Sequence, residues 1–237
     1  MKKAIIIGGT SGIGYGLANV LLANNYKVAI TGVQQNIIDD LLTSEQEYLN
    51  VSYLDCKKKN ASLAINELIE WLGGLDLLVF SAGIGNLNKD LGYQVENEAN
   101  LLNVLGFTEI SDWCYRYFLK QGFGHYVAIS SLSGIFGSRV APAYHAAKAY
   151  QISYLEGLKQ KANKSGKPIY ITDVRPGFVD TPITEGKKTF WSASAEKAGK
   201  QIYNLICRKK SVGYVSRRWR IIACLIKTIP RCIMDRI

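Results

Sequence analysis

An apolar run at residues 4–7 (AIII) passes without a break into GGTSGIG at 8–14 and then into a helix-period segment at 13–24. Strand, glycine loop and helix in immediate succession form the context that a dinucleotide-binding turn requires. Gly8 allows the tight turn, Gly12 lets backbone approach a pyrophosphate, and Gly14 lets the helix pack on the strand. Backbone N–H groups at the helix start then face an anion. The spacing is GxxxGxG rather than GxGxxG, so glycines placed only for the sterics of a βα turn stand as the alternative.

The pattern repeats along the chain. Strands are expected at 27–31, 49–54, 75–81, 125–131, 169–174 and 212–216, and helices at 35–44, 61–72, 98–120, 142–164 and 195–207. Strands alternating with helices imply right-handed crossovers and a parallel, doubly wound α/β sheet. No linker interrupts residues 1–216, which read as one domain, with 217–237 as a basic amphipathic helical extension.

Several function classes fall away. No run approaches the ~18 apolar residues of a spanning helix, and MKKAIIIGG is too short and glycine-broken for a signal peptide. Five cysteines (56, 114, 207, 224, 232) without CxxC pairing, and two histidines, predict reduced thiols, no metal site and a cytoplasmic setting. The net charge of +10 suggests nucleic acid until its distribution is read: residues 208–237 carry nine Arg or Lys against one Asp, leaving the body near neutral. No nucleic-acid partner is expected.

The chemistry concentrates in 131–148, SLSGIFGSRVAPAYHAAK. Tyr144 and Lys148 are four apart in a helical stretch and so share a face. A nearby ammonium favours the phenolate and lowers a tyrosine pKa from roughly 10, which suits Tyr144 to proton transfer. Ser131 is placed to hold the other side of a carbonyl oxygen, or is simply a turn former. Spacing alone is a weak signal, because Tyr53 and Lys57 share it. There the four residues end a strand and span ~13 Å, against ~6 Å along a helix.

With these motifs in order, residues 3–216 resemble the short-chain dehydrogenase/reductase family, as found among bacterial oxidoreductases. GGTSGIG is similar to that family's TGxxxGIG loop, with Ile7 where threonine is usual. Ser81-Ala82-Gly83 resembles the NAG motif, with serine for asparagine. Asn103 in LNVLG matches the family's helix asparagine, YHAAK its YxxxK motif, Ser131 its serine, and PGFVDT at 176–181 its PGxxxT segment. The resemblance implies a Rossmann-type fold and NAD(P)-dependent hydride exchange with a carbonyl or alcohol. It implies Tyr144 as proton donor and acceptor, Lys148 as ribose ligand that depresses the tyrosine pKa, Ser131 as substrate-oxygen ligand, and Asn103 as anchor of a water relay reaching Lys148. A polar helix residue with no such role is the other reading of Asn103. Cofactor contacts implied are Gly8, Thr10, Ser11, Gly12, Ile13, Gly14, Thr31, Gly32, Val33, Asp55, Cys56, Ser81, Ala82, Gly83, Tyr144, Lys148, Pro176, Gly177, Val179 and Thr181. A homodimer or homotetramer through the helices at 98–120 and 142–164 is implied as well.

The second strand ends Thr31-Gly32-Val33, without the acid that accepts from the 2′-hydroxyl of NAD. NADP(H) is therefore favoured over NAD(H), with Thr31 and Gln34 as candidate phosphate ligands, although no arginine follows Gly32. Asp55 and Cys56 suit an adenine contact or an ordinary strand end, and Lys57–Lys59 read as a solvated loop. Substrate should lie among 84–93, 132–141 and 182–191, none of which names it. The tail places Trp219, Ile222, Ile226, Ile229 and Ile233 at helical spacing among arginines, interrupted by Pro230. A helix packed over the domain or a partner subunit is the simpler account, and a membrane-surface helix the other. Two functions from other classes stay open: a nicotinamide-binding sensor or scaffold without turnover, and a peripheral membrane reductase of a lipid-like carbonyl.

Overall fold

A computed structural model describes residues 1–43, 46–180 and 191–230. Seven strands form one parallel sheet: β1 (Lys2–Ile7), β2 (Tyr26–Gly32), β3 (Leu49–Tyr53), β4 (Leu77–Phe80), β5 (Gly124–Ile129), β6 (Ile169–Pro176) and β7 (Val212–Val215). Their order is β3-β2-β1-β4-β5-β6-β7. The chain moves outward one way from β1 to β3 and then returns to place β4 on the other side of β1. That reversal opens a crevice at the carboxyl ends of β1 and β4, where ligands bind in open α/β sheets.

The strands are nearly continuous apolar runs because both faces are covered. Ala4 and Ile6 face one layer and Ile5 and Ile7 the other. On the first face lie α1 (Gly12–Ala23), α2 (Gln35–Leu42) and α7 (Ala195–Cys207), contributing Leu17, Leu21, Ile38, Ile202 and Ile206. On the second lie α3 (Ala64–Leu72), α5 (Phe107–Gln121) and α6 (Pro142–Lys164). Phe80, Phe107 and Phe118 are wholly buried there, and truncating one to alanine would cost about 3–5 kcal/mol.

Local signals set the helix ends. Ser194 caps α7 by accepting from the Lys197 N–H, and Pro142 opens α6. Gly73 and Gly122 close α3 and α5 in left-handed conformation. The helix expected at 98–120 begins earlier, as α4 (Tyr93–Asn100), because the Asn88 Oδ1 accepts from the Gly92 N–H at 2.8 Å and sets its start. It then passes through a π-helical turn, Leu101–Gly106, before continuing as α5.

In the tail, α8 (Trp219–Thr228) lies against the domain, with Trp219 and Ala223 buried beside Leu132. It ends before Pro230, which pushes Ile229 into extended backbone. Ile233 lies outside the described residues. No helix among the described residues is long and apolar enough to cross a membrane.

Candidate active site

The crevice is a cavity of about 440 Å³. Its floor is the glycine loop. Gly8 has φ +75°, and a Cβ there would lie 2.6 Å from the Ala82 nitrogen, so this loop and the segment after β4 touch backbone to backbone. A Cβ on Gly14 would lie 2.2 Å from the Gly8 carbonyl oxygen, which seats α1 on the strand. Ser11 stands at the N-cap with no side-chain cap bond, and the first turn of α1 carries no acid. The helix start therefore keeps an unopposed positive end toward the cavity.

At one end the cavity is bounded by Gly32, the last residue of β2, with Val33 and Gln34 after it, and by Asp55, Cys56 and Lys57 after β3. The Gly32 site is filled by Thr10, whose Oγ1 would sit 2.1 Å from any Cβ there. Asp55 Oδ1 accepts from the Lys57 N–H at 3.0 Å, and the Lys57 ammonium pairs with Glu98 at 2.8 Å. Burial, with Asp55 and Glu109 adding, pushes the Cys56 thiol up to about 12.

At the other end stand Ser131, Tyr144 and Lys148, with Ser81, Ala82, Gly83, Pro176, Gly177 and Val179 opposite. The 3-10 turn Leu132–Ile135 holds Ser131 at its cap, where its Oγ accepts from the Ser133 N–H at 3.0 Å. The hydroxyl proton remains for a second partner, and Tyr144 is one. Burial raises the Tyr144 phenol above its ordinary value, and the hydrogen bond with Ser131 works against that. Burial pushes the Lys148 ammonium down to about 8, with Asp173 pulling it back up. Beneath them Asp173 accepts from Ser130 Oγ and from Arg175 Nε at 2.6 Å, so this buried carboxylate is paired.

Lys148 and Asn103 both find hydrogen-bond partners inside the protein. Lys148 lies 5.9 Å from the Tyr144 ring centroid and donates instead to the Ile129 carbonyl and to Gln151 Oε1, each at 3.0 Å. Burial is the largest influence on the Tyr144 phenol in this arrangement and raises it. Asn103 is wholly buried and lines no part of the cavity. Its Nδ2 donates to the Ile84 carbonyl at 2.7 Å, its Oδ1 accepts from the Ile84 N–H at 3.2 Å, and its carbonyl accepts from Gln151 Nε2 at 2.9 Å. The Gln151 carboxamide thus joins the Asn103 carbonyl to the Lys148 ammonium.

Thr10, Ser11, Gly12 and Ile13 line the cavity, whereas Gly14 and Thr31 are not part of its lining. Thr31 is buried with an unpartnered hydroxyl, and its carbonyl accepts from the Gly9 N–H at 2.8 Å. A Thr31 side chain so placed is not at hand for a phosphate. Thr181 and most of the expected lid, 182–190, lie outside the described residues. Gln151 and Gly85 went unread in the sequence. Helical spacing from Tyr144 was the available signal for Gln151. Nothing marked Gly85, where a Cβ would meet the Tyr144 ring at 2.9 Å.

A family model described as short chain dehydrogenase matches residues 2–190. An uncharacterized oxidoreductase of Staphylococcus aureus is 31% identical over 193 residues, covering 77% of this chain and 80% of its own. Among solved structures, a short chain dehydrogenase/reductase from Burkholderia phymatum in complex with NAD superposes with a TM-score of 0.85 at 18% identity, covering 94% of this chain and 92% of its own. ElxO with NADP bound gives 0.78 at 24% identity, covering 90% and 96%.

Proposed function

The chain belongs to the short-chain dehydrogenase/reductase family, and from that premise we propose that it moves hydride between NADP(H) and a carbonyl or alcohol carbon, with Tyr144 handling the proton. In its coarser form, an NAD(P)-dependent oxidoreductase, the activity follows from the family itself. The observation that carries the finer reading is one cavity shared by Ser131, Tyr144, Lys148 and an uncapped, glycine-lined helix start.

The residues fit a dinucleotide. The start of α1 and the loop at Gly8, Thr10, Ser11, Gly12 and Ile13 would hold the pyrophosphate, and Asp55 and Cys56 the adenine side. Lys148 would hold the ribose, and Ser81–Gly83 with Pro176, Gly177 and Val179 would flank the nicotinamide. When bound, the nicotinamide supplies or accepts the hydride. Ser131, hydrogen-bonded to Tyr144 in this structure, turns its hydroxyl proton to the substrate oxygen and stabilises the charge that develops there. Tyr144, held protonated by burial, gives its proton to that oxygen in the reductive direction and takes it back in the other. Lys148 supplies a cation at the same wall. Asn103 acts by position: its two bonds to Ile84 fix the segment that borders the cavity after β4.

The absence of a carboxylate on Gly32, Val33 or Gln34 supports NADP(H), whose 2′-phosphate an acid there would repel. The similar structures that hold NADP and NAD support the nicotinamide class only. Calorimetric titration with NADPH and NADH, followed by a carbonyl panel with the tighter cofactor, tests the reading. Binding of neither would sink it, and tight binding without reduction of any carbonyl would favour a sensor or scaffold.

The tail supports a second reading. The face of α8 turned from the domain exposes Ile221 (66%) and Leu225 (56%), close to exposed Arg217, Arg218 and Arg220. Apolar residues flanked by arginines suit an anionic membrane surface. Unchanged binding of an Ile221→Glu, Leu225→Glu double variant to anionic vesicles would end that reading. Exposed Leu105 on the π turn and Tyr93 on α4 support a homodimer or homotetramer through the helices nearby, which light scattering measures. The free thiols of Cys56, Cys114, Cys207 and Cys224 suit a reducing cytoplasmic setting.

A further inference from the structure

Tyr144, Lys148 and Gln151 stand at i, i+4 and i+7 on α6 and therefore share a face. Gln151 is wholly buried, and both ends of its carboxamide are engaged: Oε1 accepts from the Lys148 ammonium and Nε2 donates to the Asn103 carbonyl in the π turn. We propose that Gln151 is a positioning residue that fixes the Lys148 ammonium from the interior and closes that side to protons, so that Tyr144 is recharged only from the open cleft. The inference rests on the proton-transfer role given above to Tyr144.

The argument is one of donors and acceptors. When Tyr144 gives up its proton, the phenolic O–H bond breaks, a substrate O–H bond forms, and a phenolate is left. The phenolate regains a proton from water in the cleft or from Lys148, which then becomes a neutral amine and must itself be refilled. Two of the three ammonium N–H bonds end on the Ile129 carbonyl and on Gln151 Oε1. An amide oxygen accepts a hydrogen bond but has no proton to hand on, and one of the two Gln151 Nε2–H bonds is directed to the Asn103 carbonyl. Passing a proton through this group would need an iminol. The remaining N–H is on the side that lines the cavity, near Gly83, where a Cβ would lie 3.4 Å from Nζ.

The charged and titratable groups facing Lys148 are few. Tyr144 faces it from its own helix. Asp173 faces it from β6, tied to Arg175 and Ser130. The β5 end offers the Ile129 carbonyl and Ser131, and the π turn offers the neutral Asn103. Among the described residues Gln151 is therefore the one side-chain acceptor hydrogen-bonded to an ammonium that burial has already pushed down to about 8, and removing it should matter.

The test is a pH titration of lysine-labelled, cofactor-free protein by NMR, comparing wild type with Gln151→Leu and Gln151→Glu. The Lys148 midpoint should fall by about one unit in the leucine variant and rise by a similar amount in the glutamate variant. Cofactor affinity should stay within about threefold, with the pH profile of kcat moving in step. An unchanged midpoint in either folded variant overturns the proposal, so a leucine variant that fails to fold leaves the glutamate variant to decide. In Gln151→Ser, exchange of the Lys148 Nζ protons with solvent should speed up by about tenfold or more, and an unchanged rate overturns the closed interior side. Wild-type protein that reduces no carbonyl would instead bring down the functional reading, because the titration needs no turnover.

Discussion

The indole of Trp219 occupies the space that any side chain at residue 177 would need: a Cβ on Gly177 would lie 2.2 Å from the indole Cε2. A helix from the tail is thereby packed against a residue that borders the reactive end of the cavity. Phe178 and Trp191 meet the same indole edge-on, with ring centroids 5.6 Å and 6.2 Å away. Gly177→Ala should therefore displace α8 or the segment at 176–179, lowering cofactor affinity by about tenfold and stability by about 1–3 kcal/mol. Adding Trp219→Ala should recover part of the affinity, as calorimetry of the single and double variants would reveal.

Tyr144→Phe removes the phenolic proton and little else. Turnover should fall by about 10²–10⁴, while cofactor affinity stays within a few-fold. Substantial retained turnover, measured in steady state with saturating cofactor, would refute the assigned proton donor.

Val33 is more than half exposed beside Gly32, at the end of β2 that borders the cavity. Val33→Asp introduces the acid that the 2′-hydroxyl of NAD prefers and a 2′-phosphate does not. The ratio of NADPH to NADH affinity should shift toward NADH by about tenfold or more, or about 1.4 kcal/mol. An unchanged ratio would mean that the 2′-position lies elsewhere.

His125 gives a pH prediction away from the cavity. Thr172 Oγ1 donates to the Lys210 carbonyl, so the 2.8 Å contact from His125 Nε2 to that hydroxyl carries the imidazole proton. Burial, with Lys209 and Lys2 adding, pushes its pKa down to about 4 from 6.5. Between those values the unfolded chain takes up a proton that the folded one refuses. The contribution of His125 is thus complete above about pH 6.5 and is lost as pH falls toward 4, at roughly 1.4 kcal/mol per pH unit. Urea unfolding from pH 4 to 8 should show that slope flattened in His125→Gln.

Apolar strands and glycine punctuation made the sheet legible in advance, because burial on both faces leaves a local mark. The same holds for Tyr144 with Lys148, whose spacing places them on a helix face. What lay hidden depends on contacts between distant segments. The Gly177 partner is 42 positions later in the tail, and Gln151 meets Asn103 across 48 positions. No periodicity records either. The lysine's preference for Ile129 and Gln151 over Tyr144 is likewise a matter of which acceptors the fold brings within reach.

The π turn at Leu101–Gly106 has a consequence for how this chain tolerates change in length. A π turn holds one residue more than the α-helix it interrupts, and each residue of an α-helix turns the backbone by roughly 100°. With the turn in place, Ala99 upstream, Asn103 within it and Phe107, Ile110, Cys114 and Phe118 downstream are buried together. Deleting any single residue from this stretch would let the ladder close into regular α-helix and swing Asn103 away from Ile84 and Gln151, even with every remaining side chain unchanged. Many substitutions on its exposed side, at Leu105 for instance, would leave that phase intact. What is irreplaceable here is a number of residues, and a one-codon deletion should do more harm than a drastic point change.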